Sequence, residues 1–185
     1  MTTGGFWVFG YGSLLWQPGF PFAEQQIARM PDFARSFCMR SIHHRGTLAE
    51  PGLVLALDRV AGACCDGLAF YVRAKDAAQT LDYLRERELI SSAYLEQTHP
   101  VLLRDGRQIT AVSYVIDPDH GQYCGGLPLE EQAQLIARST GGRGPNSEYL
   151  YNTAQHLREL GIEDRDLTWL ENRVREILTP ARKLP

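Results

Sequence analysis

No stretch of this 185-residue chain approaches the roughly 18 consecutive apolar residues of a membrane-spanning helix, which excludes an α-helical membrane protein. Nor is there an excess of charge of either sign. Lysine and arginine number 19 against 22 acidic residues, a net charge of −3, so no basic footprint for nucleic acid or a membrane surface is present. Cysteine is scarce. Cys38, Cys64, Cys65 and Cys124 form no CxxC pair, and the adjacent Cys64 and Cys65 lie in an apparent strand, where neighbours point to opposite faces and are poorly placed to share a metal. Small buried side chains are the expected role of these thiols. The histidines show no HxxxH or HExxH spacing, and the neighbours His43 and His44 share the difficulty of the cysteines, so no metal is expected. The opening MTTGGFWVFG has neither a basic region nor a long apolar one; no signal peptide is expected, and cytoplasm is the expected compartment. What remains is ordinary, 44% hydrophobic and 22% charged, as in one soluble domain over 1–185 with a sizeable core.

Strand-like segments come first: 6–11, a ragged alternation over 33–42, and then 53–58 and 67–73, which bracket a loop rich in Ala, Gly and Cys. Residues 75–90 read as a helix with Asp76 as N-cap and Ala77, Leu81 and Leu84 on one face. Strands near 94–103 and 108–116 flank RDGR, a hairpin signal. Helices follow over 128–139, 147–160 and 165–178, the first two separated by the Gly-rich STGGRGPNSEYL. Strands early and helices late predict one α+β domain, a small curved sheet or barrel closed by helices.

The stretch WVFGYGSLLWQ, residues 7–17, places Gly10 and Gly12 around a tyrosine at the end of a strand. Three familiar glycine loops fail on spacing. Leu15 stands where a dinucleotide fingerprint needs its third glycine, no lysine completes a P-loop, and Tyr11 and Leu15 occupy the glycine positions of a nucleophile elbow around Ser13. What is left is a turn whose missing side chains let backbone N–H groups approach a ligand, or a tight turn with no ligand at all.

The helix over 75–90 carries two carboxylates in LRERELISSAY. Glu88 continues the spacing of Leu81 and Leu84 onto the apolar stripe, whereas Glu86 is turned toward solvent. A carboxylate on a core-facing stripe is costly to bury unpaired, and desolvation moves it toward the range of a general acid/base. The alternative is a helix that ends before Glu88, leaving it exposed or paired with Arg85 or Arg87.

WVFGYGSLLW near the N-terminus, RERELISSAYL and GPNSEYL together resemble the ChaC family of γ-glutamylcyclotransferases, from residue 6 to about 178. HHRGTLAEPGLVLAL at 43–57 resembles the family's HRG and PGR region, but Leu53 stands where many members carry arginine, so no role is carried over to that position. The ELI after Arg87 is closer to the bacterial branch. The resemblance implies a small mixed β-barrel with surrounding helices, no cofactor, and cleavage of glutathione to 5-oxoproline and cysteinylglycine. It implies that Gly10, Tyr11, Gly12, Ser13, Leu14 and Leu15 hold the γ-glutamyl group and that Glu88 is the acid/base. Tyr149 and Arg45, with His43 and His44, are candidates for the rim that meets the leaving group. Two other functions share these residues: a γ-glutamyl-binding module in which Glu88 is structural, and a cyclotransferase for another γ-glutamyl amine or peptide. Glutathione is the expected partner, with no nucleic acid and no membrane.

Overall fold

The strands β1 (Phe6–Gly10), β2 (Glu24–Ser41), β3 (Gly52–Val72), β4 (Tyr94–Leu103) and β5 (Gln108–Ile116) form a closed mixed barrel in the order β1-β3-β2-β4-β5. The computed structural model describes residues 4–179, and the ends of the expected domain, 1–3 and 180–185, lie outside them. β1 runs antiparallel to β3, with Phe6 opposite Val72 and Gly10 opposite Leu68. A short parallel pairing of Trp7 and Val8 with Ala111 and Val112 of β5 closes the ring. β4 and β5 form the expected hairpin within the expected bounds, from Tyr94 opposite Ile116 to Leu102 opposite Gln108. Val8 and Phe9 are neighbours pointing to opposite faces, yet both are fully buried, because β1 is covered on both sides.

Two expectations need correction. The strand expected over 33–42 is the latter part of the 18-residue β2, and the expected loop between 58 and 67 is strand as well, because β3 is continuous over 21 residues. The loop reading arose where Arg59–Gly62 is exposed on both faces, so no alternation is visible. There Asp32 and Gly62 take φ of 62° and 78°, and the Asp32 carboxylate accepts the Gly62 N–H at 2.8 Å. Each strand thus passes through one left-handed residue, which suits glycine and is tolerated by aspartate, without breaking its ladder.

The chain divides into two compact units. The first holds the residues through Ser36 together with Leu55–Tyr123, and so carries β1, most of β2 and β3, α1 (Ala77–Glu88), β4 and β5. The second holds Phe37–Val54 and the chain from Cys124 on. In it, α2 (Leu129–Arg138) leads through a small hairpin, β6 (Thr140–Gly141) and β7 (Gly144–Pro145), into α3 (Asn146–Glu159) and α4 (Arg165–Leu178). The helices bury Ala133 and Ile136, Leu150 and Leu157, and Leu167, Leu170 and Val174, at the spacing of one helical face. The α3 start is tied by Asn146, fully buried, whose Oδ1 accepts the Leu53 N–H and whose Nδ2 donates to the Leu53 carbonyl, each at 2.7 Å. Asp164 caps α4 by accepting from the Leu167 N–H at 3.0 Å. Among the described residues no helix is long and apolar enough to cross a membrane.

Candidate active site

Gly10 ends β1, and the chain turns through Tyr11 and Gly12 into one 3-10 turn, Ser13–Leu15. Leu15 N–H donates to the Gly12 carbonyl at 2.9 Å and Gln17 N–H to the Ser13 carbonyl at 3.0 Å. A methyl group at position 10 would lie 2.9 Å from Leu14 Cβ and 3.1 Å from Phe70 Cε2. The turn folds back on its own strand because that position carries no side chain. Gly12 is buried with φ −129°, so no left-handed backbone singles out glycine there.

The turn is pinned from beneath. Tyr11 is buried; its hydroxyl donates to the Tyr114 carbonyl at 3.0 Å, and its own carbonyl accepts from Arg35 Nη1 at 3.0 Å. Arg35 Nη1 also donates to the Asp66 carbonyl at 2.9 Å. Leu14 and Leu15 point into the core. Ser13 is the half-exposed side chain of the turn, so a ligand laid on it meets backbone and one hydroxyl.

Glu88 is the last residue of α1. Ala77, Thr80 and Leu84 are the buried face; Glu88 lies one turn beyond Leu84 with its side chain 17% exposed, whereas Glu86 is exposed. The two glutamates fall on the expected sides, but Thr80 takes the buried place expected of Leu81, which is half-buried, and Asp76 occupies the N-cap position without a capping hydrogen bond from its side chain. Glu88 also pairs with Arg87, Nε to Oε1 at 3.1 Å. That same guanidinium reaches the turn: Nη2 donates to Ser13 Oγ at 2.8 Å, and Nη1 to the Gln17 carbonyl at 2.6 Å and to Tyr83 Oη at 2.9 Å. Glu88 and the glycine turn thus belong to one hydrogen-bonded cluster in the first unit.

Beside them, Arg85 holds Glu96 bidentately at 2.7 and 2.9 Å, and the Tyr114 hydroxyl donates to Glu96 at 3.1 Å. The Arg85 hydrogen bonds hold the Glu96 carboxyl below the usual range in spite of its burial. Burial first, then the charges of Glu96 and Glu88, push the Tyr114 hydroxyl far up, so it stays a protonated donor. None of Arg87, Arg35 or Tyr114 was marked by the sequence as part of this site. For Arg87 the local signals were its place beside Glu88 as a counter-charge and its i,i+4 spacing from Tyr83, which brings the guanidinium carbon over the Tyr83 ring, 6.0 Å from its centre.

The other candidates lie in the second unit. Tyr149 packs edge-on against Phe37, and the Arg45 guanidinium carbon stands 5.8 Å from the Tyr149 ring centre. Arg45 Nη1 donates to the Pro145 carbonyl at 3.1 Å and meets Glu148 at 3.4 Å. His43 and His44 are exposed, and burial followed by the charges of Arg143, His43 and Arg45 lowers His44 below the ordinary histidine value. Leu53 is fully buried. Among the described residues no group of three His, Cys, Asp or Glu could hold a metal. Cys64 and Cys65 do face opposite ways, but Cys64 is exposed rather than buried, because its face of β3 is open there.

Comparison with known proteins gives a consistent picture. A glutathione-specific γ-glutamylcyclotransferase of Escherichia coli (strain K12) is 36% identical over 172 residues, 93% of this chain and 74% of that protein. A protein of Arabidopsis thaliana, γ-glutamylcyclotransferase 2-3, is 34% identical over 184 residues, 96% of this chain and 92% of that one. The crystal structure of a γ-glutamylcyclotransferase specific to glutathione from yeast superposes with a TM-score of 0.85 at 25% identity, covering 98% of this chain and 100% of that chain. The family model for ChaC-like proteins matches residues 6–177, and with a closed barrel and a glycine turn in agreement, the chain belongs to the ChaC-like family.

Proposed function

We propose that this chain is a γ-glutamylcyclotransferase, a carbon–nitrogen lyase that cleaves glutathione to 5-oxoproline and cysteinylglycine. The Gly10–Leu15 turn holds the γ-glutamyl group and Glu88 is the general acid/base. The observation that carries this reading is the link from Ser13 through Arg87 to Glu88, which joins the turn and the carboxylate. The names of the relatives supply the substrate, and the family match across both compact units supports a single functional domain. An enzyme for so abundant an intracellular thiol fits the cytoplasm.

The chemistry needs no nucleophilic side chain. The α-ammonium of the glutamyl group gives a proton to Glu88, and the amine attacks the δ-carbonyl to close a five-membered lactam. As the tetrahedral intermediate collapses, the C–N bond to cysteine breaks and Glu88 returns a proton to the departing nitrogen. Over one turnover two protons pass from the attacking to the leaving nitrogen: the lactam keeps one N–H, cysteinylglycine leaves as an ammonium, and Glu88 ends as it began. Holding the substrate folded supplies up to about 7–11 kcal/mol of the barrier in well-oriented cases, and base catalysis a further factor of roughly 10²–10⁴. Turn and carboxylate suffice without a cofactor. In the second unit, the guanidinium of Arg45 and the aromatic ring of Tyr149 are groups whose chemistry suits a carboxylate or amide such as the leaving dipeptide carries.

The test is turnover of glutathione against γ-glutamylalanine and γ-glutamyl-lysine, with 5-oxoproline as the readout. Glutathione should show the highest kcat/KM. Glu88→Gln should lose at least about 10²-fold in kcat with KM little changed, while the exposed Glu86→Gln stays near the parent. A better substrate among the other dipeptides would overturn the glutathione assignment. Equal losses from the two glutamine variants would overturn the role of Glu88, and binding without turnover would leave a γ-glutamyl-binding module.

A further inference from the structure

We propose that Arg87 is a positioning residue for this reaction, a single guanidinium that fixes the Glu88 carboxylate and the Ser13 hydroxyl relative to each other and turns that hydroxyl into a donor toward substrate. The inference rests on the reading of Glu88 and the turn given above. Each of the three guanidinium nitrogens has a partner from a different place in the chain. Nε meets Glu88 at the end of α1, Nη2 meets Ser13 in the turn, and Nη1 meets the Gln17 carbonyl and the Tyr83 hydroxyl. The planar fork spreads these donors at fixed angles, so the three partners cannot shift independently.

The direction of the Ser13 bond follows from chemistry. A guanidinium is a donor only, so Ser13 Oγ must accept, and its one O–H proton points elsewhere. A hydroxyl that accepts from a cation is a stronger donor, which suits an oxygen of the γ-glutamyl group. The Arg87 and Glu88 side chains are each 17% exposed, so this pair is less averaged and less screened than a surface ion pair. A lysine at position 87 would keep the charge but concentrate its donors at one point, and it could not serve Ser13, Glu88 and the Gln17 carbonyl together.

The competing role is purely structural, a cation at the C-terminus of α1 that staples the segment after the turn. The full chain separates the two. kcat, KM and Tm are measured for Arg87→Lys, Arg87→Ala, Ser13→Ala and the Ser13→Ala/Arg87→Lys double variant. Arg87→Lys should lower kcat by roughly 10- to 10²-fold, since misplacing reacting groups by an ångström costs about that much, and kcat should fall by a larger factor than KM rises. The double variant should be no worse than Arg87→Lys within about threefold, because both changes remove the same link. Arg87→Ala leaves a space open to solvent, and millimolar guanidinium should restore kcat several-fold where potassium chloride at equal ionic strength does not. If Arg87→Ala does not fold, the lysine cycle decides alone. Losses that multiply in the double variant, or an Arg87→Lys enzyme with parental kcat, would overturn the role of Arg87 while leaving the cyclotransferase reading standing. A parent enzyme that makes no 5-oxoproline would overturn that reading and this one with it.

Discussion

Gly10→Ala adds one methyl group at the point where the Gly10–Leu15 turn folds onto β1. The new Cβ would stand 2.9 Å from Leu14 Cβ and 3.1 Å from Phe70 Cε2. Ordinary carbon contacts are about 3.5–4.0 Å, so the deficit is roughly half an ångström to one ångström. Leu14 is 5% exposed and Phe70 1%, so neither can swing into water to make room, and Leu14 is met at its Cβ, which moves only with the backbone. Overpacking of this kind costs about 1–3 kcal/mol. At about 2–4 °C per kcal/mol for a chain of this size, Tm should fall by about 2–12 °C. The turn is the part that gives way, and Ser13 moves with Leu14 away from Arg87 and Glu88. A displacement near one ångström should cost about 10- to 10²-fold in kcat/KM. Thermal unfolding and 5-oxoproline release measure the two effects on one preparation. Gly121→Ala is the control, because a methyl there meets nothing within 4 Å and Tm should stay at or slightly above that of the parent. A Gly10→Ala protein with parental Tm and parental kcat/KM would refute the argument, since position 10 would then have no part in seating the turn.

Two stability measurements probe the second unit. Asn146→Ala strands the buried Leu53 N–H and carbonyl, which should cost about 2–4 kcal/mol and lower Tm by roughly 5–15 °C; a shift under about 2 °C in thermal unfolding would mean that Asn146 does not anchor β3 to α3. Burial pushes the Glu171 carboxyl up, but hydrogen bonds from Arg158 and Arg175 outweigh it and hold Glu171 below its usual 4.5. A depressed carboxylate stabilises the fold above its unfolded-state value and loses that contribution as pH falls through its folded one. Glu171→Gln should therefore be less stable than the parent by about 1–2 kcal/mol at pH 7, discounted because both arginines are half-exposed. The gap should close as pH drops below 4.5, and a gap in denaturant unfolding that widens in acid would reverse the assignment.

The α1 phase, the β4–β5 hairpin and the three late helices were legible because they depend on neighbours a few residues away: apolar side chains every three or four positions, alternation around Asp105-Gly106. That range was enough to set Glu88 apart from Glu86, one near the buried face and the other in solvent. The full length of β2 and β3 was not legible. Arg59–Gly62 is exposed on both faces and shows no period of two; the ladder of the partner strand, with Asp32 accepting from Gly62, holds the chain extended there.

The sequence by itself determined the glycine turn, the carboxylate and the family they belong to, because motif, spacing and helical phase are local properties of the chain. Only the tertiary structure decided what those residues touch. Ser13 and Arg87 are 74 positions apart, Tyr11 and the Tyr114 carbonyl 103, and Asn146 and Leu53 93. No periodicity reports such pairs, since a hydrogen bond or ion pair depends on distances of about 3 Å that exist only once the chain has folded. The folded chain brings Arg87 to Ser13, and the turn and the carboxylate, each visible alone, become one cluster through an arginine whose neighbourhood in the sequence showed only a counter-charge to Glu88 and a spacing from Tyr83.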